Sequence, residues 1–407
     1  MKKIVLALAG AMAAVAFAPE ASAIPSFARQ TGMACNACHF QHFPVLNSFG
    51  RAFKAGGYTL MGSQGKVEGE QLSIPNTLNA SMLIKVRYQK ENGTDPAGTP
   101  SGATTNSGQW QIPDEFSLFF GGRVAENIGM LTEVNLAGVN GTTGGVAAQF
   151  KLPIVFDMGG VKLSAVPFMT DSGSMAYGYE LGSTGLIRAL RWSEERSAIS
   201  AMNFIGLNNG PATGLAFVAQ NDMGYINFTR WTPHFSAGGG AGQAIQLRNN
   251  WLRIAATPTV ADMAMHIGLG IASGESEDAT GAKAETKATV LDFQGQTQLG
   301  GNDFSLYANY GRAPSSANNI WNMAANTKSA FAVGADYSVI QHVLHVGGSI
   351  LRGDNGAAAN NKDNGIMVQG IYDLTQNVGL HLVYASYNGS AHASTANKTT
   401  LMLEGAW

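Results

Sequence analysis

Short segments in which apolar and polar residues alternate recur from about residue 78 to the C-terminus. In the run from Leu78 to Gln89, the even positions are apolar or aromatic, and the odd positions are polar except Leu83. A period of two predicts a β-strand with one apolar face and one polar face. The same alternation returns near Phe116, Val161, Phe304 and Gly365. Most of the chain is therefore predicted to be β-structure.

Composition narrows the class of β-protein. Asp, Glu, Lys and Arg make up 13% of the 407 residues, about half of the share that is usual in soluble proteins. A helical span needs about 20 consecutive apolar residues, and the only long apolar run is at the extreme N-terminus, which excludes a polytopic helical membrane protein. Disorder is excluded because 45% of the residues are hydrophobic and the net charge is only -2. That small acidic charge provides no basic surface, so no nucleic-acid partner is expected.

The connections between the predicted strands distinguish a barrel in lipid from a soluble β-sandwich. About 18 strands can be placed from 78–89 to 398–407, including 176–192 and 198–206, and about 16 fit the pattern equally well. Long loops alternate with tight turns such as Ile340-Gln341. Outer-membrane barrels have short periplasmic turns and long extracellular loops. We therefore expect a transmembrane antiparallel outer-membrane β-barrel over residues 76–407, with both termini on the periplasmic side.

The end of the chain also favours contact with lipid. Leu401, Leu403 and Trp407 fall on one face of the last predicted strand. A final strand that ends the chain with an aromatic residue is typical of outer-membrane barrels, which carry aromatic girdles at both membrane interfaces.

The N-terminus has the three parts of a secretory signal. Lys2 and Lys3 precede an apolar stretch from Ile4 to Phe17, and Ala21-Ser22-Ala23 forms a small-residue cleavage site. The apolar stretch is too short to cross a membrane. Residues 1–23 are therefore predicted to be a signal peptide, and the mature chain is predicted to leave the cytoplasm.

The 2 cysteines of the chain lie in Cys35-Asn36-Ala37-Cys38-His39, the pentapeptide of c-type haem attachment. The spacing suits the chemistry, because two thiols must reach the two vinyl groups on one porphyrin edge while the adjacent imidazole ligates iron. A redox dithiol, a zinc half-site and a strained disulfide are the alternatives, but the sequence shows neither a thioredoxin-like context nor further zinc ligands. We predict Cys35 and Cys38 as haem thioethers and His39 as the proximal ligand of one covalent haem c.

Residues 24–75, around this motif, are predicted to form a small haem c segment. At some 50 residues it is near the size at which a domain needs a metal, a disulfide or a partner to fold. A barrel of about 16 strands has a wide lumen, so the segment is expected to plug it. The segment is rich in aromatic side chains, namely Phe27, Phe40, Phe43, Phe49, Phe53 and Tyr58. The charged residues expected to point into the lumen, without a catalytic role, are Lys85, Arg87, Glu115, Arg123 and Glu133.

Several residues are candidates for the sixth ligand of the haem iron. His42 follows His39 by three residues, and an i,i+3 pair lies on one face of a helix. The two side chains can hardly reach opposite faces of one porphyrin, so a supporting or surface role is expected for His42. Met61, after Gly56-Gly57, could return to the far face, as in cytochromes with His and Met ligands. Met33, an open site and an ordinary packing role for Met61 are the alternatives.

Three stretches, 25–44, 49–54 and 57–59, resemble the fused cytochrome-porins of iron-oxidising bacteria. Members of that family join one N-terminal haem c to an outer-membrane barrel and are regarded as iron oxidases of the cell surface. The match is specific over about 40 residues around the haem motif, and the barrel matches in character and order. The resemblance implies Cys35, Cys38 and His39 as haem ligands and extracellular Fe(II) as electron donor.

A single haem constrains how such a protein can work. The apolar band of a barrel is about 25 Å tall, which one porphyrin does not bridge. Either the barrel holds the haem near the external donor and a carrier reaches it from below, or electrons hop through a lumen residue. A soluble periplasmic cytochrome is therefore the expected electron acceptor.

The sequence shows no dedicated iron site. Glu275, Glu277 and Asp278 form an acidic cluster on a predicted external loop, and oxygen ligands suit a hard cation, although acidic loops are usually just solvated. Two other functions use the same parts: a diffusion porin with an accessory haem, and a conduit that delivers electrons outward.

Overall fold

The computed structural model shows a closed antiparallel β-barrel. The structure describes residues 25–92, 107–137, 147–182, 200–207, 210–234, 246–277, 282–392 and 396–407. The predicted signal peptide lies outside these ranges. The strands are β1 Lys66–Gly69, β2 Leu72–Pro75, β3 Ala80–Glu91, β4 Gln109–Ala125, β5 Ile128–Ala137, β6 Ala147–Lys151, β7 Ile154–Asp157, β8 Lys162–Thr170, β9 Ala212–Asn221, β10 Gly224–Thr232, β11 Asn249–Ala256, β12 Thr259–Val260, β13 Met263–Ser273, β14 Glu275–Glu277, β15 Lys283–Glu285, β16 Ala288–Leu299, β17 Asn302–Ala313, β18 Lys328–Ile340, β19 Leu344–Asp354, β20 Lys362–Thr375, β21 Val378–Asn388 and β22 Ala396–Ala406. The helices are α1 Pro25–Thr31, α2 Cys35–Cys38, α3 Ser48–Ala55 and α4 Ala201–Ile205.

Sixteen strands form the barrel within the described ranges. Segments β6 and β7 both pair with β5 and β8, and β11 and β12 both pair with β13, so each pair is one interrupted strand. Both interruptions contain a proline, Pro153 or Pro258, which cannot donate a hydrogen bond to the ladder. The β1–β2 and β14–β15 hairpins lie outside the barrel sheet. The expectation of an antiparallel barrel with about 16 to 18 strands is confirmed.

Alternate side chains of each barrel strand face lipid and lumen. In β10 the odd-numbered residues from 225 to 231 are buried, whereas Ile226 and Phe228 expose 52% and 42% of their surface. In β3 and β4, Lys85, Arg87 and Glu115 are buried on the lumen side. Polar groups inside and apolar groups outside are the arrangement of a barrel in lipid.

The last strand closes the barrel on the first. Strand β22 pairs with β3, and the Trp407 backbone N–H donates to the Met82 carbonyl oxygen at 2.9 Å. Leu401 and Leu403 expose 40% and 43% of their surface. The lipid-facing pattern predicted for the end of the chain is therefore confirmed.

Short turns join the strands at one end of the barrel, and long connections join them at the other. Strands β4–β5, β9–β10, β16–β17, β18–β19 and β20–β21 are connected by two or three residues each. The chain enters β3 and leaves β22 at this same end. Because outer-membrane barrels have short periplasmic turns, this end faces the periplasm.

The strand predicted at 198–206 is wrong. Residues Ala201–Ile205 form helix α4, because the Ser200 hydroxyl oxygen accepts a hydrogen bond from the Asn203 backbone N–H at 3.1 Å and Gly206 ends the helix with φ 86°. Of the strand predicted at 176–192, residues 183–192 lie outside the described residues, and Met175–Tyr177 form a single 3-10 turn. Among the described residues, no helix has the length and the apolar character needed to cross a membrane.

The N-terminal segment lies inside the barrel at the periplasmic end. The Gln41 side-chain amide donates to the carbonyl oxygens of Asp303 and Asp336 at 3.1 and 3.0 Å. The backbone of Gly57 is in close contact with Gly129 of wall strand β5, because a Cβ added at Gly129 would lie 1.6 Å from the Gly57 carbonyl oxygen. The expectation that this segment, here called the plug (residues 25–64), enters the lumen is confirmed.

The extracellular half of the lumen is filled at its described residues by apolar side chains. Helix α4 buries Met202 and Ile205 against the wall, where Trp231 and Trp251 have no exposed surface. Between this cluster and the plug lies a buried polar layer, in which the Arg253 guanidinium contacts Glu180 and Asp292 at 3.0 and 2.5 Å.

Candidate functional site

The haem attachment motif forms one helical turn held by the barrel. The His39 backbone N–H donates to the Cys35 carbonyl oxygen at 2.9 Å, which closes the turn of α2. The Cys35 backbone N–H donates to the Gln376 side-chain oxygen at 3.0 Å, in the tight turn between β20 and β21. Gly50 of α3 is required beside the motif, because a Cβ there would lie 2.1 Å from the Cys38 carbonyl oxygen. The motif is therefore fixed at the periplasmic mouth.

The geometry of this turn fits covalent haem attachment. Cys35 is buried, Cys38 is half-buried, and both are thiols with no disulfide between them. Burial raises the pKa of the Cys38 thiol. Their spacing places both thiols on one helical turn, followed by a histidine, which is the donor set that the predicted attachment needs.

His39 is held in the form that ligates iron. Its Nδ1 atom lies 3.2 Å from the Val45 carbonyl oxygen. Burial lowers the pKa of His39 to about 4, so the imidazole is neutral at pH 7. A neutral imidazole that donates Nδ1–H to a carbonyl oxygen keeps its Nε2 lone pair for a metal, a common arrangement around ligating histidines. The ring also packs edge-on against Phe43, with 5.4 Å between centroids.

The aromatic residues of the plug form its core. Phe27 stacks on Tyr58 with ring centroids 5.1 Å apart and meets Phe53 edge-on at 5.2 Å. Phe49 instead exposes 41% of its surface, although it is the residue before Gly50, which contacts the motif. The plug thus has a packed interior and an apolar side chain left uncovered near the cysteines.

Met61 lies beside the end of α1, from which the chain continues into the motif. The Gly62 and Ser63 backbone N–H groups donate to the carbonyl oxygens of Gln30 and Thr31 at 3.1 and 3.3 Å. Met61 and Met33 are both half-buried. Met61 as sixth ligand stays a prediction, with Met33, an open site and an ordinary packing role for Met61 as its alternatives.

His42 points away from the motif helix into the barrel wall. Gln41 adopts a left-handed backbone conformation with φ 60°, which reverses the chain after His39. The His42 Nδ1 atom lies 2.8 Å from Asp373 Oδ1, and its Nε2 atom lies 3.6 Å from Glu404 Oε1. His42 is only 6% exposed, so the surface role considered for it is wrong.

The electrostatic environment of His42 favours its charged form. Burial lowers the pKa of His42, but the carboxylates of Asp373 and Glu404 outweigh burial and raise it to about 10. At pH 7 the metal-free protein therefore holds a cationic His42 between two wall carboxylates.

The wall around His42 contributes a group of residues that the sequence analysis did not connect. His345 Nε2 lies 3.2 Å from Asp373 Oδ2, and the His381 ring lies 5.0 Å from the His42 ring. Lys85 contacts Glu404 at 3.4 Å. The available signal was positional: each of these wall residues lies on the lumen side of a strand, in the half of the strand nearer the periplasmic end.

The acidic cluster proposed to attract iron lies at the opposite end of the barrel. Glu275 and Glu277 belong to the β14–β15 hairpin, where Glu275 forms an ion pair with Lys283 at 2.8 Å. Asp278 lies outside the described residues. The acidic cluster and the haem attachment motif thus lie at opposite ends of the barrel axis, and the charge of the cluster is partly neutralised.

Comparisons with known proteins support the barrel. No protein-family model and no curated protein matches this sequence. The outer-membrane channel DcaP of Acinetobacter baumannii matches with a TM-score of 0.51 and 11% identity, covering 81% of this chain and 97% of that protein. The anion-selective porin from Comamonas acidovorans matches with a TM-score of 0.50 and 10% identity, covering 81% and 99%. The shared fold is that of an integral outer-membrane β-barrel, and the fused cytochrome stays a prediction.

Proposed function

We propose that this chain is an outer-membrane electron-transfer protein with one covalent haem c, which takes electrons from extracellular Fe(II) and passes them to a soluble periplasmic cytochrome. The observation that carries the proposal is the Cys35–His39 turn inside the barrel, with the His39 Nδ1 atom directed at the Val45 carbonyl oxygen. Haem bound there would supply a one-electron Fe(III)/Fe(II) couple.

The residues of the plug have separate tasks in this proposal. Cys35 and Cys38 would anchor the porphyrin through thioethers, and His39 would ligate its iron through Nε2. Phe49 and Leu60, which expose 41% and 44% of their surface, offer apolar surface that a porphyrin could cover. Burial of such surface contributes about 25 cal/mol per Å², which would help a small plug to hold its shape.

The position of the motif supports a periplasmic electron acceptor. Cys35 contacts Gln376 in a short turn, so the attachment point lies at the periplasmic mouth. A soluble cytochrome could approach this mouth directly, whereas it could not reach the middle of an apolar band about 25 Å tall.

The apolar side chains packed in the extracellular half of the lumen limit the routes by which electrons could come from outside. Trp231, Trp251 and Met202 are buried without exposed surface between the extracellular loops and the polar layer. Packed side chains resist the passage of hydrated ions, and because the motif lies at the periplasmic mouth, electrons from outside would have to hop through lumen residues to reach a haem there. The packing of the described part of the lumen therefore weighs against a wide ion path and supports the electron-transfer proposal over free diffusion.

A diffusion porin with an accessory haem is the second candidate. It is favoured by the fold, which this chain shares with the outer-membrane channel of Acinetobacter baumannii and the anion-selective porin from Comamonas acidovorans. The two functions differ in a measurable way: a diffusion porin conducts ions through the barrel, and its haem need not respond to iron.

The decisive experiment mixes the purified protein with Fe(II) under anaerobic conditions and follows the absorption bands of reduced haem c. We expect reduction by Fe(II), and a protein in sealed vesicles should pass electrons to an internal acceptor only when a periplasmic cytochrome is present. A haem that Fe(II) does not reduce, together with a large ion conductance in planar bilayers, would establish the porin instead.

A further inference from the structure

Three buried side chains at the seam between plug and barrel converge on one point. His42 of the plug, His381 of β21 and Glu404 of β22 each offer a ligand atom, and these atoms all lie within 4.8 Å of one another. The three residues are 6%, 1% and 6% exposed. A tetrahedral metal with bonds of about 2.1 Å holds its ligand atoms about 3.4 Å apart, so rotamer adjustments of about 1 Å would bring them into range.

The contact of His42 with Asp373 orients the imidazole as a ligand. Asp373 Oδ1 lies 2.8 Å from Nδ1, and Nε2 is directed at the centre of the cluster. That Nε2 atom is buried and makes no hydrogen bond, with Glu404 Oε1 at 3.6 Å as its neighbour. A carboxylate behind a histidine is the usual support of a metal-ligating imidazole. Asp373 therefore acts as a positioning residue.

The cluster borders a small pocket at the periplasmic end of the barrel. The pocket has a volume of about 10 Å³, is partly open to solvent, and is lined by His42 and Glu404 and by Gln376 and Asn377 of a periplasmic turn. Gly379 also lines it, and a Cβ there would lie 3.0 Å from the His42 ring. Two of the three ligands, His42 and Glu404, therefore border a space of about the size of one water molecule that opens toward the periplasm.

We propose that His42, His381 and Glu404 form a binding site for a divalent first-row transition metal that joins the plug to the barrel wall. Two imidazoles and one carboxylate suit Fe(II), Co(II) and Zn(II) and suit the harder Mg(II) and Ca(II) poorly. The site uses none of the predicted haem ligands, so it goes beyond the proposed electron transfer and does not depend on it.

The test measures metal bound by the full-length protein in detergent. After dialysis against Co(II) and removal of unbound metal, elemental analysis should find about one Co(II) per chain. His381→Ala should reduce the Co(II) affinity about tenfold or more, and Asp373→Asn should reduce it about 10- to 100-fold by releasing the orientation of His42. His392→Ala is the matched control, because His392 pairs with Asp363 at 3.0 Å outside the cluster.

A folding measurement and two further variants separate loss of metal binding from loss of the fold and from the haem. Heat-modifiable migration on denaturing gels reports whether each variant retains a folded barrel, and Glu404→Gln offers a second, nearly isosteric ligand variant. The Cys35→Ala/Cys38→Ala double variant should still bind Co(II), which separates this site from the haem. If the folded wild type binds no more Co(II) than folded His381→Ala, or if Glu404→Gln and His381→Ala bind it as tightly as His392→Ala, the cluster is an ion-pair anchor and the proposal is overturned.

Discussion

The Nδ1 atom of His42 lies 2.8 Å from the Oδ1 atom of Asp373, and this pair joins the plug to the barrel wall. The two residues are separated by 331 positions in the chain, and their side chains are only 6% and 8% exposed. Removing one partner of a buried ion pair typically costs about 3–5 kcal/mol, because the other charge is left uncompensated. The pair is therefore expected to be a main determinant of whether the plug stays seated.

We expect the seating of the plug to weaken at alkaline pH. The pKa of His42 is raised from 6.5 to about 10 in the folded protein, so its charge stabilises the plug fully below pH 6.5. That contribution declines as the pH rises and is lost above about 10. Protease resistance of the plug, measured with a chelator present, should fall between pH 7 and 10. His42→Gln should remove this pH dependence, and an unchanged profile in that variant would contradict the assignment.

Covalent haem should require both cysteines of the motif. Replacing Cys35 and Cys38 with Ala should abolish haem that survives denaturing electrophoresis, because no thioether can form. The barrel should still fold, since its ladder closes through β22 and β3 without the motif. Haem staining and heat-modifiable migration of the same sample test both statements. Retention of denaturant-resistant haem in the double variant would show a different attachment.

The sixth ligand can be assigned through the reduction potential of the haem. Methionine ligation raises the potential of a c-type haem. Met61→Ala should therefore lower the midpoint potential, whereas Met33→Ala, which changes an equally half-buried methionine, should leave it unchanged. A lower midpoint potential in the Met33→Ala variant alone would identify Met33 as the ligand instead of Met61. Potentiometric titration of both variants distinguishes these outcomes.

A side chain at Gly129 should unseat the plug. A Cβ there would lie 1.6 Å from the Gly57 carbonyl oxygen, and overpacking of this kind costs about 1–3 kcal/mol. Gly129→Ala should make the plug more sensitive to protease. Gly405→Ala is the control, because a Cβ at that position meets nothing within 4 Å. Equal sensitivity of the two variants would show that Gly129 is not a close contact.

The barrel could be predicted from the sequence because its signals are local. Successive residues of a strand point to opposite faces, so the position of Lys85 within its own strand determines that it faces the lumen. The length of each turn likewise follows from the sequence between two neighbouring strands. Helix α4 was missed for a physical reason: Met202 and Ile205 are apolar like lipid-facing residues, but they pack inward against the wall. A strand and a buried helix of this length carry similar apolar runs.

The two candidate sites also differ in how far the sequence predicts them. Cys35, Cys38 and His39 lie within five residues of one another, so their spacing alone predicts their chemistry. The meeting of His42 with His381 and Glu404 depends on where the plug sits and on the register of the closing strands, as in the pairing of His381 with Met402. No short-range pattern encodes that register, so these three residues could not be connected before the structure.

The acidic hairpin is expected to have little influence on iron oxidation. Glu275 is paired with Lys283 at 2.8 Å, and both side chains are exposed, so salt screens what charge is left. Replacing Glu275, Glu277 and Asp278 with their amides should leave the rate of haem reduction by Fe(II) within about twofold at physiological ionic strength. Stopped-flow measurement at two salt concentrations is the test. A tenfold loss that grows as salt is lowered would show instead that this hairpin concentrates Fe(II) at the extracellular mouth, since only an attraction between charges strengthens in that way.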